Sequence, residues 1–108
     1  MSQIFAPMTV KGIPFRNRIV MPPMVREKAD AQGRVTAAVI ENYSRPAHAG
    51  VGAIIVEATA VAEAGRCWHG GLCAYADQHR PGLRLLAEKI RELGAVAGIQ
   101  LVHGGPQA

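Results

Sequence analysis

Two histidines stand out among the residues that could do chemistry. His69 lies beside Trp68 in a long loop of mixed composition, and His103 follows directly after an apolar segment. Because an imidazole can gain or lose a proton near neutral pH, either side chain could act as a general acid or base or contact a substrate. A solvated imidazole beside a packed aromatic ring explains His69 as well, so the residue types alone assign no catalytic residue.

The two cysteines, Cys67 and Cys73, are too few for a disulfide framework and lack the paired CxxC spacing of a zinc site. Free thiols are typical of a reducing compartment, so we expect a cytoplasmic protein without a bound metal. The N-terminus has no basic segment followed by an apolar core, and no apolar run reaches the roughly 18 residues of a membrane span. We therefore expect neither secretion nor a membrane partner.

The formal net charge is +4 over 108 residues. The lysines and arginines are scattered, with no basic run and no interleaved aromatic residues on which bases could stack. This distribution is typical of a solvated surface and also suits an anionic small molecule. We expect no nucleic-acid partner.

Three apolar runs of the length of a buried strand each end in a polar or small-residue tip. They predict strands at residues 18–21, 53–56 and 97–102, all apolar enough to be buried on both faces. The first run stops abruptly at two prolines, which cannot donate to a strand ladder. The tips are Pro22-Pro23-Met24-Val25, Glu57-Ala58-Thr59 and His103-Gly104-Gly105.

Helical patterns lie between the strands. Thr36 is a candidate N-cap for a first helix, in which Pro46 should cause a kink or an early end. A second helix is predicted to begin at Pro81 and to end before Gly94, with its leucines and Ile90 spaced by three and four residues. Before the first strand, residues 4–15 predict a hairpin around Lys11-Gly12.

Strand, helix, strand, helix, strand predicts an α/β fold with a parallel sheet covered by helices. An open nucleotide-binding sheet would place a GxGxxG turn after its first strand, and no such turn is present here. A (β/α)8 TIM barrel carries its reactive groups at the carboxyl ends of its strands, where residues 22–25, Ala58 and Gln100 lie. The barrel is therefore the favoured architecture.

The segments 17–24 (NRIVMPPM), 54–58 (IIVEA) and 98–105 (GIQLVHGG) together resemble the N-terminal part of the Old Yellow Enzyme family. These are FMN-dependent NAD(P)H:flavin oxidoreductases and ene-reductases. The resemblance implies that residues 1–108 form the N-terminal portion of a (β/α)8 TIM barrel, about three βα units after a leading hairpin. A full barrel needs about 250 residues, so we expect this portion to be incomplete alone. Another chain or self-association would complete it.

The resemblance also implies roles for particular residues. The segment of Pro22, Pro23, Met24 and Val25 would pass along the flavin ring, Ala58 would pack beside it, and Gln100 would hydrogen-bond its pyrimidine edge. Glu27 falls near the place where some relatives have a substrate-contacting tyrosine. Val25 stands where Cys or Thr is common in the family, and Pro106 where Arg is frequent.

In the family, NAD(P)H reduces FMN, which passes a hydride from N5 to an activated alkene of a small unsaturated carbonyl compound. The catalytic histidine pair and tyrosine of the family lie on later strands, so we expect them beyond residue 108 and name no catalytic residue within the chain. Two other interpretations stay open. The chain could be a non-catalytic αβ module that associates through exposed strand edges, or a cofactor-free enzyme that uses His69 or His103.

Overall fold

The computed structural model describes residues 3–107, which form two small sheets and two α-helices. The strands and helices in chain order are β1 (Met8–Val10), β2 (Ile13–Phe15), β3 (Val20–Met21), α1 (Ala37–Ala49), β4 (Ala53–Ala60), α2 (Arg80–Glu92) and β5 (Val96–Val102). Short 3₁₀ turns lie at Gln3–Phe5, Glu63–Gly65, Asp77–His79 and Gly105–Gln107. Within residues 3–107, no helix has the length and apolar composition needed to cross a membrane.

The predicted N-terminal hairpin is present. β1 and β2 pair antiparallel, with Met8 opposite Phe15. The two residues between them, Lys11 and Gly12, both have positive φ values, 49° and 83°. This is the backbone that a tight two-residue hairpin turn requires, and glycine adopts it without steric cost.

The second sheet has the strand order β3-β4-β5, and both pairs are parallel as predicted. Only β4 is buried along nearly its whole length. Val20 of β3 and Leu101 of β5 are largely exposed, so the prediction of three fully buried strands is wrong for these two. The reason is that β3 and β5 are the outer strands of the described sheet and have a neighbour on one side only.

The strand limits also differ from those predicted. β3 contains Val20 and Met21 only, because Ile19 lies outside the ladder and accepts backbone hydrogen bonds from Gly52 and Ala53. β4 continues beyond Val56 to Ala60, although Glu57 lies within it. A charged residue can stay inside a buried strand when its side chain has hydrogen-bond partners, which Glu57 has.

α1 begins as predicted, because the Thr36 hydroxyl accepts a hydrogen bond from the Val39 N–H at 3.3 Å. The helix then continues through Pro46 to Ala49, so the predicted early end at Pro46 is wrong. Pro46 lies in the last turn, where its carbonyl still accepts from the Gly50 N–H. Gly50 follows as the C-terminal cap, and its φ of 112° suits glycine.

α2 has Pro81 in its first turn and is followed by Gly94, in agreement with the sequence pattern. Both helices pack on the same side of the three-stranded sheet and enclose one hydrophobic core. The buried core residues are Val39, Tyr43, Ala47, Ile54, Val56, Leu72, Leu86, Ile90 and Ala95. Because the strands are parallel, their carboxyl ends lie side by side along one end of the sheet, called the carboxyl edge below. The predicted site residues lie at this carboxyl edge, which is distinct from the outer strands β3 and β5.

Candidate functional site

The predicted site residues lie at the carboxyl-terminal edge of the parallel sheet. Residues 22–25 follow β3 directly, Ala58 lies near the end of β4, and Gln100 lies near the end of β5. Since the three strands are parallel and adjacent, these positions share one edge. This edge carries the reactive groups in TIM barrels.

A β-bulge interrupts the pairing of β4 and β5 at this edge. Val56 pairs with Ile99 and Thr59 pairs with Leu101, so two residues of β4 lie opposite one residue of β5. The three residues of the bulge are Glu57, Ala58 and Gln100. Bulges redirect side chains and are common next to active sites. The bulge therefore contains two of the predicted cofactor-binding residues.

The bulge changes the direction of the side chains along β4. Val56 belongs to the core that contains Tyr43 of α1, and its partner Ile99 and the partner of Thr59, Leu101, line the same groove on the helix side. In a regular strand, residues 56 and 59 would point to opposite faces. The extra residue brings both to the helix side, so Ala58, next to Thr59, lies on the face opposite the helices.

Ala58 is small and covered by a loop. It lines a narrow space together with Ala60, Val102 and Trp68. Val102 lies two residues after Gln100 on β5 and therefore on the same face of the strand. Ala58 and Gln100 thus share the sheet face that points away from the helices.

Gln100 is exposed, in contrast to Ala58. Its neighbours Ile99 and Leu101 line an apolar groove with Leu86 of α2, on the helix side of the sheet. Because side chains alternate along a strand, the Gln100 amide points to the other side. An exposed amide can donate one hydrogen bond and accept another from the same ligand.

The segment of residues 22–25 presents free backbone donors at the same edge. Pro22 and Pro23 have no N–H, and within residues 3–107 neither Met24 nor Val25 donates its N–H to a protein acceptor. Met24 is 57% exposed, and Val25 is half-buried. Two neighbouring N–H groups are therefore available to a ligand with acceptor atoms.

Glu57 is the most deeply buried carboxylate of the site, with 1% of its surface exposed. Its Oε2 accepts a hydrogen bond from the Arg26 N–H at 3.0 Å. The Glu57 N–H donates to the Tyr43 hydroxyl at 2.9 Å. Burial raises the pKa of the Glu57 carboxyl, whereas the Arg26 N–H and the Tyr43 hydroxyl lower it. Burial also raises the pKa of Tyr43 to about 12, so the phenol keeps its proton.

Glu27 is exposed and has a positive φ of 52°, which is uncommon for a residue with a side chain. Its backbone lies against Gly70, where an added Cβ would collide with the Glu27 carbonyl. Gly70 also accepts a hydrogen bond from the Ala29 N–H at 3.0 Å. The loop that carries Gly70 thus fixes the backbone at Glu27 and leaves the carboxylate in solvent.

The two histidines have different surroundings. His69 is exposed, and its carbonyl accepts a hydrogen bond from Arg66 at 3.0 Å. The His103 ring lies against Gly65, where a side chain would leave no room for it, and its Nδ1 accepts from the Gly105 N–H at 2.9 Å. These contacts support a structural role for His103.

Both cysteines are free in the described residues; Cys67 is exposed and Cys73 is buried. Among the described residues, no group of three or more His, Cys, Asp or Glu side chains could hold a metal ion.

The network of Tyr43, Glu57 and the Arg26 N–H was not predicted from the sequence. The available signal was the position of Glu57, a charge directly after an apolar run with no break in strand character. A buried carboxylate needs hydrogen-bond partners, and Tyr43 on the apolar face of the neighbouring helix was a candidate. The Arg26 N–H belongs to a loop, and periodicity does not predict loop backbone positions.

Comparisons with known proteins identify the family. A sequence model of the NADH:flavin oxidoreductase / NADH oxidase family matches residues 3–108. The NADPH dehydrogenase of Geobacillus sp. (strain WCH70) is 44% identical over 96% of the chain, and that of Bacillus subtilis (strain 168) is 38% identical over 98% of it. The chain spans about a third of the length of these two relatives, 31% and 32% respectively.

Solved structures give the same result for the fold. The Old Yellow Enzyme from Pichia sp. AKU4542 superimposes with a TM-score of 0.92 at 27% identity, over 98% of this chain and 28% of that enzyme. Morphinone reductase in complex with tetrahydroNAD gives a TM-score of 0.88 at 22% identity, over the whole chain and 29% of that enzyme. The described elements thus correspond to the N-terminal part of a (β/α)8 TIM barrel, as predicted. The chain belongs to the NADH:flavin oxidoreductase / NADH oxidase family.

Proposed function

We propose that this chain supplies part of the FMN site of an oxidoreductase that uses NAD(P)H to reduce activated alkenes of the enone or enoate type. When bound, FMN would accept a hydride from NAD(P)H and deliver it from N5 to the alkene. The observation that carries the proposal is the β-bulge that sets Ala58 opposite Gln100 at the carboxyl edge of the sheet. Family membership supports the same cofactor.

The residues at this edge fit a flat, polar-edged ring such as isoalloxazine. The exposed amide of Gln100 can donate to a ring carbonyl and accept from a ring N–H. Ala58, opposite Gln100 in the bulge, is small and lies under the loop that carries Trp68, so it adds no bulk beside the ring. The free N–H groups of Met24 and Val25 can donate to acceptor atoms on another edge of the ring. Pro22 and Pro23 restrict the backbone that presents these donors.

On the substrate side, we propose that Glu27 contacts the bound carbonyl compound. The carboxylate is exposed, and its backbone is fixed against Gly70. A carboxylate accepts hydrogen bonds and repels anions, whereas the tyrosine of some relatives can donate. We therefore expect neutral enones to be preferred over negatively charged enoates.

We propose that further strands, which the described residues do not contain, complete the barrel. β3 and β5 are edge strands of the described sheet, and Leu101 on the helix side of β5 is 61% exposed. The relatives are about three times as long as this chain. The catalytic histidine pair and tyrosine would belong to the completing part.

The free cysteines favour a cytoplasmic location.

The proposal is tested on a completed protein, in which this chain is followed by the C-terminal two thirds of the Geobacillus sp. NADPH dehydrogenase. We expect it to retain FMN through gel filtration and to oxidise NADPH or NADH when a small cyclic enone is added. The chain alone, with FMN added, is the control for the need for completion.

Retention of FMN without enone-dependent oxidation of NAD(P)H would contradict the proposed reaction while leaving the cofactor site in place. A completed protein that is folded but binds no FMN would contradict both. In that case, association of the chain through its strand edges, measured by its mass in solution, would favour the non-catalytic module.

A further inference from the structure

The segment between β3 and residue 28 donates few backbone hydrogen bonds. At its far end, Glu27 packs against Gly70 and the Lys28 carbonyl accepts from the Thr36 hydroxyl at 2.6 Å. Two of its residues, Pro22 and Pro23, have no N–H. Between residues 22 and 28 of the described chain, Arg26 has the only backbone N–H that donates to a protein acceptor. A loop without backbone hydrogen bonds samples many conformations unless a side chain holds it.

The acceptor of the Arg26 N–H is the carboxylate of Glu57, at 3.0 Å. Glu57 itself is held in place, because its own N–H donates to the Tyr43 hydroxyl at 2.9 Å and its side chain is buried. Tyr43 belongs to α1 and is fully buried in the core. Tyr43, Glu57 and the Arg26 N–H thus connect α1 and the central strand β4 to the loop backbone.

Glu57 is also part of the β-bulge. It is the neighbour of Ala58 and lies with it opposite Gln100. The Glu57 carboxylate reaches the Arg26 N–H, directly after the 22–25 segment, whereas Ala58 lies on the sheet face opposite the helices. One residue thus connects the two parts of the candidate FMN site that come from different strands.

A buried carboxylate is costly, and an apolar residue would suit the core at this position. An apolar side chain would leave the Arg26 N–H without an acceptor, and the loop would lose this backbone anchor. The hydrogen bond between the Arg26 N–H and the Glu57 carboxylate therefore fixes the position of the loop backbone, which apolar packing at residue 57 would not do. This distinguishes Glu57 from the apolar residues that surround it.

We infer that Glu57 is a positioning residue, which holds the backbone at Arg26 so that the N–H groups of Met24 and Val25 are oriented for FMN before FMN binds. This inference rests on the proposed function, since it requires that FMN occupies the edge of the sheet. Donors that are already in position bind a ligand more tightly, because no binding free energy is used to order the loop.

The inference is tested by measuring the FMN dissociation constant and the flavin absorbance spectrum of the completed protein at a temperature well below its melting point. Glu57→Ala removes the acceptor, and we expect FMN to bind about tenfold or more weakly, with a changed flavin spectrum. Glu57→Gln keeps an acceptor for the Arg26 N–H, so it should bind FMN within about threefold of the wild type. Tyr43→Phe keeps the carboxylate but removes the hydroxyl that accepts from the Glu57 N–H, and its FMN affinity should lie between those of the two Glu57 variants.

Ile90→Ala is the matched control for a loss of stability. Ile90 is fully buried in α2 and is not part of the site, so the variant should melt at a lower temperature and yet bind FMN with the wild-type affinity while folded. If Glu57→Ala does not fold, the comparison of Glu57→Gln and Tyr43→Phe with Ile90→Ala still tests the inference.

Weaker FMN binding in Glu57→Ala or Tyr43→Phe, with rescue in Glu57→Gln and no change in Ile90→Ala, would support the inference. Wild-type affinity and spectrum in Glu57→Ala and Tyr43→Phe would overturn it and leave the proposed function intact. A parallel loss of affinity in Ile90→Ala would also overturn it, because the effect would then follow stability. A wild-type completed protein that binds no FMN would overturn the proposed function and this inference together.

Discussion

Glu57 is buried, and its carboxylate accepts a hydrogen bond from the Arg26 N–H. Burial favours the protonated carboxyl, whereas the Arg26 N–H and the Tyr43 hydroxyl favour the carboxylate. Burial is the larger effect, so the pKa of Glu57 lies above its ordinary value of 4.5. The folded protein therefore holds this proton at pH values where the unfolded chain has released it.

Glu57→Gln should change how stability depends on pH. Because the folded state binds the Glu57 proton more tightly, the wild type loses stability as pH rises from 4.5 through the raised folded-state pKa. The amide that replaces the carboxyl does not titrate, so the variant should gain in melting temperature relative to the wild type between about pH 4 and about pH 8.

Thermal unfolding of the completed protein and of the variant at both pH values measures this difference. Tyr43→Phe provides a second test, because losing the phenol hydrogen bond should raise the pKa of Glu57 further and steepen the decline in stability. The same pH dependence in the wild type and in Glu57→Gln would show that Glu57 does not titrate in this range.

At the level of single residues, sequence reasoning named candidate site residues but not the contacts between them. Ala58 and Gln100 could be selected because they lie at strand ends within segments that resemble a known family. Their common face could not be derived from alternation, because the bulge shifts the alternation between Val56 and Thr59 by one residue. Their roles in binding FMN stay predictions.

α1 contains a proline that the fold tolerates. Pro46 cannot donate a helical hydrogen bond, but it lies in the last turn, and the helix continues to Ala49. The sequence predicted a kink or an early end at Pro46, because proline is unfavourable in a helix interior by about 3 kcal/mol relative to alanine. Packing of Tyr43 and Ala47 in the core holds the last turn in place.

Pro46→Ala should stabilise the protein by about 1 kcal/mol, because the alanine N–H can donate to the preceding turn, while the more flexible unfolded chain offsets part of the gain. Pro81→Ala is the matched control, since Pro81 lies in the first turn of α2, where an N–H has no helical partner. We expect that control to be neutral or slightly destabilising. Denaturant unfolding of both variants measures the difference, and equal effects would contradict the role assigned to the position of Pro46.

Sequence patterns predicted the order and type of the main elements, including the hairpin, both helices and the parallel strands. They were less accurate for strand limits. β4 extends to Ala60 because Glu57 finds partners in α1 and in the loop, contacts between segments distant in sequence. The short β3 likewise reflects backbone bonds from Gly52 and Ala53 to Ile19, which no local pattern encodes.

The three strands of the described sheet leave apolar surface that a complete barrel would cover. Ile99 and Leu101 of β5 and Leu83 of α2 line a groove on the helix side, next to the outer edge of β5. In a (β/α)8 barrel, the following βα unit packs against this position. The groove is therefore where we expect the completing part to join.

Leu101→Glu should prevent correct completion, because it places a charge in the groove. Leu85→Glu is the matched control: Leu85 is 59% exposed, similar to Leu101 at 61%, but it does not line the groove. We expect Leu101→Glu to reduce the yield of folded completed protein severalfold and to lower its melting temperature, with little effect from Leu85→Glu. Equal effects of the two substitutions, measured by gel filtration and thermal unfolding, would contradict this position for the junction.

The central claim is that the carboxyl edge of this sheet binds FMN through residues that three strands bring together. The most direct test is titration of the completed protein with FMN, for the wild type, for Gln100→Leu and for the control Gln3→Leu, which lies on an exposed turn outside the sheet. We predict one FMN per completed protein for the wild type and the control, and a dissociation constant about tenfold higher for Gln100→Leu, which loses both amide hydrogen bonds. Absence of FMN binding by the folded wild type, or unchanged affinity in Gln100→Leu, would contradict the claim.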